Sequence, residues 1–230
     1  AELLALAGHA QAGLIVCHGA GVAEIARLAT ELRVQAVFTN HDDEPAALQR
    51  DQLVRGLLAE RGIALETYKD HVVFERSEVL TQSGTSYGVF TPYKRAWLKK
   101  AQEDPFYLRS YPVSRHARAL APRPAPYNRP MPSLSDLGFE ATNLSSLHLG
   151  VGSPGGRALL EDFAARMQHY GQRRDFPGLR GPSYLSVHLR FGTVSIREVT
   201  RLAYERSQQD RKSTHLNSSH GYISYAVFCL

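Results

Sequence analysis

Apolar residues along the first hundred positions fall into short uninterrupted runs separated by stretches of helical periodicity. Residues 14–18 form one such run and predict a buried strand. Val22, Ile25, Ala29 and Leu32 then recur at helical spacing, and residues 34–39 predict the next strand, ending at Asn40. Pro45 opens a predicted helix with an apolar stripe of Leu53, Val54, Leu57 and Leu58, and Gly62 is placed to end it. Residues 63–68 and 71–74 are short and β-rich, and 81–88 have the Gly and Ser content of a loop. Thr91 followed by Pro92 is a helix-start signal. Strands alternating with helices predict an α/β fold with a Rossmann-like parallel sheet, in which ligands gather at the carboxyl ends of strands. The polar segment Asn40, His41, Asp42, Asp43, Glu44 stands at such an end, and also reads as an acidic helix entry that suits the helix dipole.

The pattern then changes. Seven of the twelve prolines lie between Pro105 and Pro132, and proline cannot donate a backbone hydrogen bond to helix or sheet. Residues 105–150 are therefore expected to be a linker between domains, running across their surfaces. Helical periodicity resumes after Gly155, with Leu160, Phe163, Ala164, Met167 and Tyr170 on one face. Ser195 and Glu198 have capping-box spacing ahead of Val199, Leu202 and Ala203.

Charge sharpens this division. Residues 1–90 carry 7 Lys/Arg against 12 Asp/Glu, and residues 91–230 carry 20 against 10, so a net charge of +5 hides an acidic part and a basic part. A basic half suits phosphate-rich partners, or is a solvated face. No run reaches the roughly 20 apolar residues of a membrane helix, and no secretory signal is evident, so a soluble cytoplasmic protein with no membrane partner is expected. Cys17 and Cys229 have no metal-ligand spacing and the ten histidines are scattered, so no metal site is expected.

Three stretches, in order, resemble the DNA photolyase and cryptochrome family: NHDDEPAALQRD at 40–51, YGVFTPYKRAW at 87–97, and YGQRRDFPGLRGPSYLSVHLRFGTVSIRE at 170–198. The resemblance implies an α/β antenna domain followed by an all-α FAD-binding domain. It implies light-driven electron transfer from reduced flavin to a cyclobutane pyrimidine dimer in damaged DNA, with the cofactor carrying the chemistry. By the same resemblance Tyr170 matches a tyrosine that lies on the FAD. Pro182, Ser183, Tyr184, Leu185 and Ser186, after Gly181, match a cofactor-binding turn usually read Gly-Thr-Ser-x-Leu-Ser. Pro182 replaces the threonine and removes a hydroxyl and an N–H. Without the resemblance, these serines would read as simple helix caps. No protein side chain is assigned a catalytic role. Ala46 and Ala47 stand where folate-using relatives place polar groups, which leaves the antenna pigment unknown.

The expected domains are thus 1–104, an antenna domain whose first strand is missing; 105–150, the linker; 151–210, the beginning of an incomplete FAD domain; and 211–230, a tail foreign to the family. As a fragment, the chain is expected neither to repair DNA nor to hold FAD tightly. The single tryptophan, Trp97, is assigned to packing. A cryptochrome photoreceptor using the same flavin is the alternative, and an unrelated α/β nucleotide-binding protein is a third reading. Oligomeric state is not legible.

Overall fold

A computed structural model describes residues 12–111, 113–147 and 150–213. Both the opening stretch and the part of the expected tail beyond residue 213 lie outside the described residues. The chain divides into two compact units, one drawn from Ala1–Tyr68 and Tyr111–Leu147, the other from Lys69–Ser110 and His148–Leu230.

In the first unit, helix α1 (Gly21–Glu31) leads to strand β1 (Ala36–Asn40), helix α2 (Pro45–Ala59) and strand β2 (Ala64–Tyr68). The strands pair in parallel, Ala36 opposite Ala64 through Asn40 opposite Tyr68. Alternation decides their faces: Val37 and Leu65 pack into a core of Ala29, Val54, Leu58 and Ile63, while the Phe38 and Tyr68 rings stack at 6.3 Å on the exposed face. The α2 stripe is narrower than its sequence suggests, with Val54 and Leu58 buried but Leu53 exposed. Pro45 starts α2, where its missing N–H costs nothing. Gly62 ends the helical turn at φ 69°, letting the Ile63 N–H reach back to the Leu58 carbonyl at 3.0 Å.

Residues 14–18 are not a strand. The segment has no regular structure, Leu14 and Val16 are exposed, and the Leu14 carbonyl accepts from Arg123 Nη1 at 3.4 Å. An apolar run becomes a strand only where a neighbour completes its ladder, which the run itself does not encode. Residues 111–147, expected to bridge domains, group instead with this unit: Tyr127 bonds Arg27 and Glu31 of α1, and Ala117, beyond helix α4 (Val113–His116), is buried.

The second unit is helical among its described residues. Helix α3 (Phe90–Glu103) begins one residue before Thr91, so Thr91 and Pro92 both fall in its first turn. Its Trp97, Leu98 and Ala101 pack with Val73, Phe74, Val79 and Leu108, and Trp97 meets Phe74 edge-on at 5.1 Å. Residues 71–74 are a bend that plugs this core and not a strand; burial explains their apolar character without any ladder.

Helix α5 (Gly152–Arg166) starts ahead of Gly155. It is followed by the short helices α6 (Tyr170–Arg173) and α7 (Ser186–Arg190) and by α8 (Ile196–Ser213). Leu160, Leu185, Val194, Val199 and Ala203 form their shared core. Ser195 caps α8 through the Arg197 N–H at 3.3 Å, one position short of the Glu198 N–H that the expected box would use. Among the described residues no helix is long and apolar enough to cross a membrane, and no cluster of His, Cys, Asp or Glu could hold a metal ion.

Candidate functional site

The last turn of α5 and the chain after α6 build a small arginine-stapled cleft in the second unit. Phe163, Met167 and Tyr170 repeat at helical spacing and are buried together, the Phe163 and Tyr170 rings edge-on at 6.0 Å. Arg166, on the adjoining face, is 12% exposed and reaches the turn that precedes α7. Its Nε donates to Asp162 Oδ2 at 2.8 Å. Nη1 donates to the carbonyls of Arg180 (2.8 Å) and Gly181 (2.9 Å), and Nη2 to that of Pro182 (2.8 Å). The guanidinium lies 5.4 Å from the Phe163 ring centre and 5.7 Å from that of Tyr184.

Gly181 lets the turn touch α6. A Cβ there would lie 2.8 Å from the Arg173 carbonyl carbon and 2.9 Å from the Arg174 nitrogen, both backbone atoms that cannot step aside. Gly181 thereby seats the 181–186 turn against the end of α6, the helix that Tyr170 begins. Beyond Gly181 the chain alternates in hand: Tyr184 has φ 59°, and Leu185 follows at φ −85°, ψ −3°. Alternation of this kind turns successive N–H groups toward a common side, an arrangement suited to anionic oxygens. Ser183 Oγ accepts the Leu185 N–H at 3.3 Å.

The residues singled out from sequence divide by orientation. Tyr184 lines a cleft of about 620 Å³ with Leu159, Leu179, Arg180, Val187 and His188. Ser183 and Leu185 are buried, and Pro182 and Ser186 are exposed. Tyr170 packs beneath with Phe163 rather than lining that cleft. Three side chains here were not anticipated. Arg166 carries the staple. Arg180 lines the cleft and pairs with Asp162 at 3.2 Å. His188 is buried with Nδ1 2.8 Å from Thr193 Oγ1, against Gly156 of α5, where a Cβ would lie 3.0 Å from that nitrogen. The i,i+4 spacing of Asp162 and Arg166 is a sequence signal by which the staple could have been found.

A second hollow of the same unit, about 410 Å³, is bounded by Asp70, Phe74, Tyr93, Trp97, Val194 and Ile196. Burial pushes the Tyr93 hydroxyl up from its ordinary pKa. At the carboxyl end of β1, in the first unit, Asp42 Oδ1 accepts the Glu44 N–H at 3.1 Å and His41 Nε2 lies 2.9 Å from Thr67 Oγ1. That segment closes the helix entry through local bonds.

A parallel α/β unit accompanied by a helical unit with a stapled, tyrosine-lined cleft defines a two-part α/β and helical protein. Residues 2–112 match the family model described as DNA photolyase. The chain is 35% identical over 200 residues to an uncharacterized 31.6 kDa protein of Synechococcus sp. (strain PCC 6716), covering 82% of this chain and 66% of that one. It is 30% identical over 220 residues to a deoxyribodipyrimidine photo-lyase of Halobacterium salinarum, covering 94% of this chain and 44% of that one. The fold is shared with a bacterial class III photolyase from Agrobacterium tumefaciens at a TM-score of 0.71, with 24% identity over 97% of this chain and 43% of that one. Residues 2–112 thus belong with the DNA photolyase family, and the chain as a whole is similar to proteins of that family. It spans less than two thirds of the length of these relatives.

Proposed function

We propose that the whole protein to which this chain belongs acts as a flavin-dependent photolyase, using light to reverse cyclobutane pyrimidine dimers in DNA, with FAD as cofactor. What supports this is the 181–186 turn, seated on α6 at Gly181 and carrying the left-handed Tyr184, which lines the cleft beside Arg180. The cleft suits the group: Leu159, Leu179 and Val187 offer apolar walls, Tyr184 an aromatic one, and Arg180 a positive charge for phosphate oxygens. Pro182 has no N–H and the Leu185 N–H is taken by Ser183 Oγ, so the backbone donors offered to a diphosphate are those of Ser183 and Tyr184. Bound FAD would supply the light-driven electron. The chain's own part is to bind, to orient and to exclude water.

In this proposal the functional segments follow sequence order: an antenna segment over 1–104, a connection over 105–150 and a flavin-binding segment over 151–210, in a cytoplasmic protein that meets damaged duplex DNA. Packing groups the residues differently, and the functional order is a claim about role.

The test is repair. The protein expressed from its whole gene is expected to purify with flavin absorbance and to clear dimers from a defined thymine-dimer oligonucleotide under blue light but not in the dark. Flavin without repair would favour photoreceptor signalling, and absence of both would overturn the proposal.

A further inference from the structure

We infer that Arg166 is the positioning residue of the flavin cleft, holding the 180–186 turn in the one conformation that presents its amides and Tyr184 to a ligand; the ligand part of this rests on the flavin reading above. Four of the five N–H donors of the guanidinium are used, one on Asp162 and three on consecutive carbonyls of Arg180, Gly181 and Pro182. A trans peptide is planar, with its C=O and the following N–H pointing opposite ways. Capturing the Pro182 carbonyl therefore aims the Ser183 N–H away from Arg166. The alternating hands of Tyr184 and Leu185 continue the turn from there.

Several features mark the arrangement as built for direction and not for charge alone. Asp162 already balances the guanidinium, and it shares a second arginine, Arg180, at the rim of the cleft. The Phe163 and Tyr184 rings flank the guanidinium at 5.4 and 5.7 Å, limiting where its fork can point. A lysine would keep the charge but could not fan donors across three carbonyls in a fixed plane. Tyr184 is half exposed in the left-handed region, a conformation that costs a non-glycine residue energy and persists only where neighbours over-determine it. The staple is the neighbour that does so.

Backbone hydrogen exchange and FAD titration of the protein expressed from its whole gene, as wild type, Arg166→Lys and Arg166→Met, test this, with each variant's unfolding midpoint measured alongside. The hydrogen-bonded amides of the turn, Gly181 and Leu185, are expected to exchange about tenfold faster or more in both variants, because charged hydrogen bonds are lost, while those of α8 stay protected. FAD affinity is expected to fall by about tenfold in both. Full protection of the turn in Arg166→Lys would show that charge alone suffices and would overturn the inference. So would unchanged exchange in both variants, or a uniform acceleration across the whole unit. If wild type binds no FAD, the flavin reading fails, and exchange at the turn still decides the role of Arg166.

Discussion

Arg197, 5% exposed near the start of α8, extends its Nη1 to within 3.4 Å of Asp70 Oδ1 and of the Asp70 carbonyl, while Nη2 donates to the Lys69 carbonyl at 3.3 Å. Lys69 and Asp70, where the second unit begins, are thereby tied to a helix of the same unit more than a hundred residues later in sequence. Asp70→Ala leaves a buried guanidinium with its carbonyl bonds but without its carboxylate. The variant is expected to lower the unfolding free energy by about 1–2 kcal/mol, since Asp70 is partly solvated and the pair is screened. The urea midpoint, with unchanged slope, reads the loss.

Gly181 has a defined space problem. Gly181→Ala drives a methyl group into the Arg173 and Arg174 backbone, so either α6 or the turn must move. The expected cost is about 1–3 kcal/mol by thermal or urea unfolding. Gly178→Ala, in the same loop with open space around it, is expected to be near neutral.

Glu78 makes acid sensitivity specific. Burial by itself would raise its pKa, but the Lys69 hydrogen bond, the Glu75 amide and the charges of Lys69 and Lys100 outweigh that and hold it below its ordinary value of 4.5. A carboxylate depressed in the folded state contributes stability that is complete above its unfolded pKa and is lost as pH falls through the lowered folded one. Wild type is therefore expected to lose stability more steeply than Glu78→Gln as pH falls below the ordinary carboxylate value of 4.5 and through the lowered folded one. Equal slopes would remove Glu78 from the account.

Much of this was legible before any coordinates. Helical stripes such as Phe163, Met167 and Tyr170 announced their buried faces, because periodicity and burial share a cause. Pro45 and Gly62 marked the two ends of α2, where backbone geometry leaves few alternatives. The apolar runs at 14–18 and 71–74 misled, since a strand is defined by its partner and apolar composition equally fits an exposed coil or a core plug. Proline density at 105–132 argued against helix and sheet; the described residues there form no strand but do make short helical turns, α4 among them, and composition could not say which unit they lie against. Within the site, the motif named the turn and Tyr170. It could not reveal Arg166, whose acceptors are main-chain carbonyls and leave no mark on side-chain identity.

The most direct measurement is photoaffinity labelling of the protein with 8-azido-FAD, followed by peptide mapping. Labelling concentrated in the peptides that contain Arg180, Tyr184 and Val187, and suppressed by excess unlabelled FAD, is the result expected if this cleft holds the flavin. Competable labelling confined to the first unit, around α1 and β1, would contradict it.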